Sequence, residues 1–236
     1  MRTRLTALMV LALSGIAGCV TGPAPIVIHE DRTLSVWLKF DPTSGIGHHH
    51  PTSITPSKMA AVLSGLRVIP RSTFGSLFTT GEEGDRVFSP SEVSRLAPLL
   101  SQALAKASPK DMATFYVVTG ERRSGPLVTS GGMVFRNGSL YLIVANARTS
   151  PSGKVYETSH EVDTRDDPLL PLVRYNFSVT FAPAHALVPK GQAQDRETED
   201  RYLDGAKVVV IDPAKLPDSE ESPSSSSGFP AIPAVR

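Results

Sequence analysis

The chain has 236 residues, 24 lysines and arginines against 23 aspartates and glutamates, 40% hydrophobic residues and a single cysteine. Charge this evenly balanced argues against nucleic acid as a partner, because phosphate binding draws on basic patches that release counterions. It also gives no basic belt for anionic lipid. With one cysteine there is no internal disulfide, so packing alone must hold the fold.

Arg2 and Arg4 precede an apolar run, residues 5–16 (LTALMVLALSGI). A helix of that length spans roughly 18 Å, short of a hydrocarbon core of about 30 Å. It suits the core of an export signal rather than a permanent span. Small residues follow and end in cysteine: Ile16-Ala17-Gly18-Cys19. This tetrapeptide resembles the lipobox of bacterial lipoproteins, a resemblance confined to the N-terminal stretch. It implies removal of residues 1–18, lipidation of the Cys19 sulfur with diacylglycerol, and acylation of the new amine. Two or three chains at about 0.8 kcal/mol per buried methylene would hold the protein on a membrane, as one would not. Val20 stands where aspartate favours inner-membrane retention in double-membrane bacteria, so the resemblance implies the periplasmic face of the outer membrane. Residues 1–18 contain two arginines and no acid, which leaves 22 basic against 23 acidic residues after their removal.

Residues 19–25 read as a lipid-anchored Gly/Pro tether, 26–216 as a single α+β domain, and 217–236 as a Ser/Pro-rich tail with too little apolar surface to order. Residues 33–40 (TLSVWLKF) alternate, with Leu34, Val36, Leu38 and Phe40 on one face of a half-buried strand and Trp37 on the other. Thr55-Pro56 marks a helix start, and Met59, Val62, Leu63 and Leu66 extend it to about residue 66. Ser89-Pro90-Ser91-Glu92 is a capping box, followed by an apolar stripe of Val93, Leu96, Ala97, Leu100, Ala103 and Leu104. A second helix is expected over 90–107, with a kink or break at Pro98.

The second half reads as sheet. Residues 112–119 are β-branched and aromatic. Asn137-Gly138 between apolar runs at 132–136 and 139–146 predicts a type I′ hairpin, since both central residues need positive φ. Further strands are expected at 154–161, 175–181 and 206–211, and residues 195–204 as an exposed charged loop or short surface helix. The pattern predicts an antiparallel sheet of about five to six strands with two helices packed on one face; a β-sandwich with peripheral helices is the second choice.

Signatures with a known mechanism, such as a nucleophile elbow, a phosphate loop or a His-Glu-x-x-His helix, are absent. The most unusual stretch is Gly45-Ile46-Gly47-His48-His49-His50-Pro51. In extended chain, alternate side chains share a face, so His48 and His50 are the candidate metal pair. A third ligand would come from His160, His185, or Asp163, Asp166 and Asp167. The bland reading is a loop in which one histidine caps or packs and the others are solvated. His160-Glu161 with Asp163, and Asp166-Asp167, read as solvated loop carboxylates rather than acid–base pairs. No cofactor is implied.

The His-Pro near the first helix, the Phe-Ser-Pro-Ser-Glu helix start and the Thr-Phe-Tyr-Val-Val strand are similar to exported bacterial lipoproteins to which no activity is attached. The leading expectation is a non-enzymatic envelope lipoprotein that binds or assembles with an envelope protein partner. The alternatives are a metal- or small-ligand-binding lipoprotein using the His48–His50 loop, and a hydrolase of envelope polymers.

Overall fold

The computed structural model describes residues 23–45, 47–70, 84–120, 125–150, 165–172, 177–189 and 207–217. Cys19, the strand expected at 154–161 and the loop at 195–204 lie outside them.

Two helices and nine strands are present among the described residues: β1 (Ile26–Glu30), β2 (Leu34–Phe40), α1 (Pro56–Gly65), β3 (Leu66–Pro70), β4 (Asp85–Arg86), α2 (Pro90–Lys106), β5 (Asp111–Thr119), β6 (Leu127–Arg136), β7 (Ser139–Thr149), β8 (Phe177–Phe181) and β9 (Val208–Ile211). Six strands form an antiparallel sheet in the order β1-β2-β5-β6-β7-β9. The remaining three form a smaller sheet, β4-β3-β8. The chain is therefore α+β.

Period-two alternation builds the larger sheet with two unlike faces. Leu34, Val36 and Leu38 of β2, Phe115 of β5 and Leu140, Leu142 and Val144 of β7 point towards the helices. There they join Met59, Leu63, Leu96, Leu100 and Leu104 in one continuous core. Trp37 lies on the other face, buried with Tyr116, Val128 and Leu172. A separate cluster of Met112, Val134, Tyr141 and Ile143 sits on that face too.

Local signals set the helix ends. In α1 the Thr55 hydroxyl accepts from the Lys58 N–H at 3.2 Å. In α2 the capping box is closed in both directions, Glu92 N–H to Ser89 Oγ at 3.3 Å and Ser89 N–H to Glu92 Oε2 at 2.6 Å. Of the kink or break expected at Pro98, the break does not occur, since α2 is continuous from Pro90 to Lys106. Leu96, Ala97, Leu100 and Leu104 are all buried, which pins the helix on both sides of the proline. Pro98 and Ser94, whose carbonyl loses its usual donor, are both exposed, so water can take the missing bond.

Asn137 and Gly138 have φ of 50° and 78°, as the hairpin reading required. The first helix ends as expected at Leu66, its C-cap, which also opens β3. One expectation needs correction: residues 177–181 pair with β3 rather than joining the main sheet.

A short segment, residues 165–172, lies against the face away from the helices. Asn146, 2% exposed within β7, fastens it. Its Nδ2 donates to Ser130 Oγ at 2.8 Å and to the Leu170 carbonyl at 2.9 Å, while its Oδ1 accepts from the Leu172 N–H at 2.8 Å.

Candidate functional site: the histidine loop

The chain leaves β2 at Phe40 and must reach Pro56 across the end of the larger sheet. At that same end β5 begins, β6 ends and β7 begins, because all the pairings are antiparallel. Ladder pairing of β5 with β6 runs from Thr119 to Ala113, opposite Leu127 to Met133. Past Met133, this edge of β6 is free to accept another segment, and the histidine loop takes it.

The loop is fastened step by step. Asp41 N–H donates to the Lys110 carbonyl at 2.8 Å, and His48 N–H donates to the Pro109 carbonyl at 2.7 Å. Between them Gly47 adopts φ +100°, and a Cβ there would come within 3.2 Å of Pro109 Cβ and 3.3 Å of its carbonyl oxygen. Glycine supplies both the left-handed backbone and the close approach. His49 N–H then donates to the Phe135 carbonyl at 2.9 Å, and Phe135 N–H donates back to His50 Nε2 at 3.0 Å. The imidazole thus stands where a neighbouring strand would present a carbonyl. His49 Nδ1 accepts from the Asn137 N–H of the hairpin turn at 3.1 Å. Thr52 N–H closes the strap on the Leu104 carbonyl at 3.1 Å.

The three histidines are unlike one another. His49 is exposed, whereas His48 and His50 are 3% and 6% exposed. His48 Nε2 lies 2.8 Å from Asp41 Oδ2, with both side chains buried. A carboxylate only accepts, so Nε2 carries the hydrogen. The other oxygen of Asp41 accepts from the Thr43 N–H at 2.8 Å and the Thr43 hydroxyl at 2.7 Å. The rings of His48 and His50 meet edge-on, 5.6 Å between centroids. Burial pushes the His50 imidazole down to about 4, helped by neighbouring His48 and His49 and opposed by Asp111.

Among the described residues, Nδ1 of His48 and Nδ1 of His50 are buried without a hydrogen-bond partner. The partners of the two Nε2 atoms fix which form each Nδ1 takes in the neutral rings: bare on His48, hydrogen-bearing on His50. The alternate spacing does bring the two histidines together, as expected of extended chain. The pair then offers one ion a single lone pair, and Asp41 behind His48 is placed as a carboxylate that orients the ring. Of the residues considered as a third ligand, His185 Nε2 lies 3.2 Å from the Lys215 carbonyl. Asp166 and Asp167 belong to the 165–172 segment, where the Asp166 carbonyl accepts from Lys39 Nζ. His160 and Asp163 lie outside the described residues. Among the described residues no three or more His, Cys, Asp or Glu side chains gather as a metal ion would require.

Beside the loop, a recess of about 280 Å³ is lined by Ile54, Thr55, Lys58, Phe135 and Pro213 among others. Among the described residues lining it, Lys58 is the only titratable one. Sequence reasoning singled out the histidines but not their anchors. Asp41, Pro109 and Phe135 carry no local signal that would have marked them. No protein family matches the chain, and no curated protein or solved structure is significantly similar to it.

Proposed function

We propose that this protein is a lipid-anchored component of a bacterial envelope, with a binding or assembly role rather than a catalytic one. The observation that carries this reading is Ile16-Ala17-Gly18-Cys19 behind two arginines and a short apolar run. Two features of the folded domain agree with it. The first strand opens at Ile26, seven residues after Cys19, so the anchor would lead directly into the larger sheet. The histidine loop is bonded to the protein's own backbone at Pro109, Phe135 and Asn137, which makes it a strap across the sheet end. Among the described residues no helix is long and apolar enough to cross a membrane.

The test is the mass of the mature N-terminal peptide, with crosslinking and capture of the tagged protein from membranes of wild-type and Cys19→Ala cells. A diacylated or triacylated Cys19, with a specific partner lost in Cys19→Ala, is expected. A mature protein with an unmodified Cys19 overturns the anchor. A lipidated protein that captures nothing above background overturns the assembly role alone.

A further inference from the structure

Five large hydrophobic residues are exposed among those described: Ile26, Val27, Phe40, Ile69 and Leu170. Three of the five meet at one corner of the larger sheet. Ile26 pairs with Leu38 across β1 and β2, and Phe40 lies two residues further along the same face. That makes Ile26 and Phe40 diagonal neighbours. Val27 pairs with Trp37 and emerges on the other face. The exposures of Ile26, Val27 and Phe40 are 54%, 55% and 39%. Pro25 before β1 and Pro42 after β2 are exposed as well, so the apolar surface continues around the strand ends.

This corner is also where the described chain begins. Seven residues lead from Cys19 to Ile26, and even fully extended they reach only about 24 Å. An anchor of that length keeps the corner beside the bilayer at high effective concentration, whichever way the rest of the domain turns. The far end of the same hairpin is of opposite character. There Asp31 accepts from the Thr33 and Leu34 N–H groups, from the Arg95 guanidinium and from His29, and Arg32 is exposed. The apolar end thus adjoins the anchor, and the charged end lies a strand's length away.

We propose that the Ile26–Val27–Phe40 corner rests on the lipid surface to which Cys19 is attached, seating the larger sheet with its β1–β2 end against the membrane. This rests on the lipid-anchor reading and adds an orientation to it. Partly apolar side chains at the acyl boundary reinforce a covalent anchor by removing apolar area from water.

Lipidation would consume the only thiol of the chain, so an introduced cysteine can be labelled alone. Ile26→Cys, Phe40→Cys and, at the charged end, Arg32→Cys are labelled with an environment-sensitive fluorophore. Each lipidated protein is reconstituted in phosphatidylethanolamine–phosphatidylglycerol vesicles, with the mass of the N-terminal peptide measured on the same sample. The expected result is a blue shift at positions 26 and 40 with loss of intensity on adding nitroxide-bearing lipid, and neither at 32. Water-like emission at 26 and 40 in protein whose mass shows the lipid overturns the membrane seat and leaves the anchor standing. A mass without lipid overturns the anchor reading itself. Blue-shifted emission at 26 in whole membranes that nitroxide lipid does not quench assigns the corner to a protein partner, and likewise overturns the proposal.

Discussion

One end of the six-stranded sheet carries two adjoining regions of opposite construction. At the β1–β2 corner, Ile26, Val27 and Phe40 are apolar and left in water. A few residues along the chain, Asp41, His48 and His50 are polar and taken out of it. Burying polar groups and exposing apolar ones both run against the ordinary distribution, and each costs free energy unless something offsets it. In the histidine loop much of the offset lies within the molecule, since both Asp41 oxygens and both histidine Nε2 atoms are matched, while the two buried Nδ1 atoms are without a partner among the described residues. At the corner nothing within the described residues supplies it. On the reading proposed above, the loop serves the protein's own stability and the corner serves contact with the membrane.

If that contrast is right, substitutions in the loop unfold the protein while those at the corner do not. The largest effect is expected at Asp41. Asp41→Ala leaves a buried His48 Nε2–H without its acceptor and removes the Thr43 contacts. The cost should be about 3 kcal/mol, in the range for stranding one member of a buried pair. Urea denaturation measures it, and Asp41→Asn, which keeps an oxygen for His48, should lose less. An Asp41→Ala protein as stable as wild type would mean that the dyad serves some purpose other than holding the loop.

The second effect is a pH dependence. Phe135 N–H donates to His50 Nε2, so protonating that nitrogen sets two hydrogens face to face. Burial holds the folded value near 4, below the ordinary 6.5, with His48 and His49 lowering it and Asp111 raising it. The unfolded chain then binds the proton more readily. Stability from this group is complete above about pH 6.5 and drains away as pH falls through about 4, by up to about 3 kcal/mol. Asp31 is lowered from the usual carboxylate range by its bonds to His29 and Thr33, so its contribution is lost only at more acid pH, below about 4. Denaturation midpoints between pH 7 and 4.5 should fall for the wild type and stay level for His50→Gln. Parallel curves would assign the slope to other groups.

The fold and the loop were not equally legible beforehand. Ser89-Pro90-Ser91-Glu92 and Asn137-Gly138 encode their geometry within four residues or fewer, and both α2 and the hairpin appear where those signals stand. Trp37 was placed on the second face by alternation alone. The smaller sheet was not anticipated. Leu66–Pro70 follows α1 with no turn residue between, and β8 pairs with it across more than a hundred positions. The same limit applies to the loop. The alternate spacing of His48 and His50 allowed them to share a face, but the bland reading had a single histidine packed, whereas two are buried with their rings edge-on. That His50 would accept from Phe135, 85 residues away, was not written near either residue. Asn146 looked like one polar residue in an apolar strand, and only the tertiary fold shows the three bonds that place it there.

The smallest expected effect is the one that decides how the corner is read. Ile26→Thr with Phe40→Thr keeps one β-branched residue and gains another, so strand propensity is preserved while apolar area is removed. Both side chains are partly in water, at 54% and 39% exposure, so folding gains less from them than from a buried residue. Stability of the soluble domain should stay within about 0.5 kcal/mol of wild type, as for surface substitutions generally. A loss several times larger would show that the corner belongs to the core, and the contrast with the histidine loop would fail. Near-neutral stability has the opposite meaning. Two large apolar side chains kept in water at no benefit to the fold are residues whose use lies in what they touch, and the surface nearest to them is the one Cys19 is expected to hold.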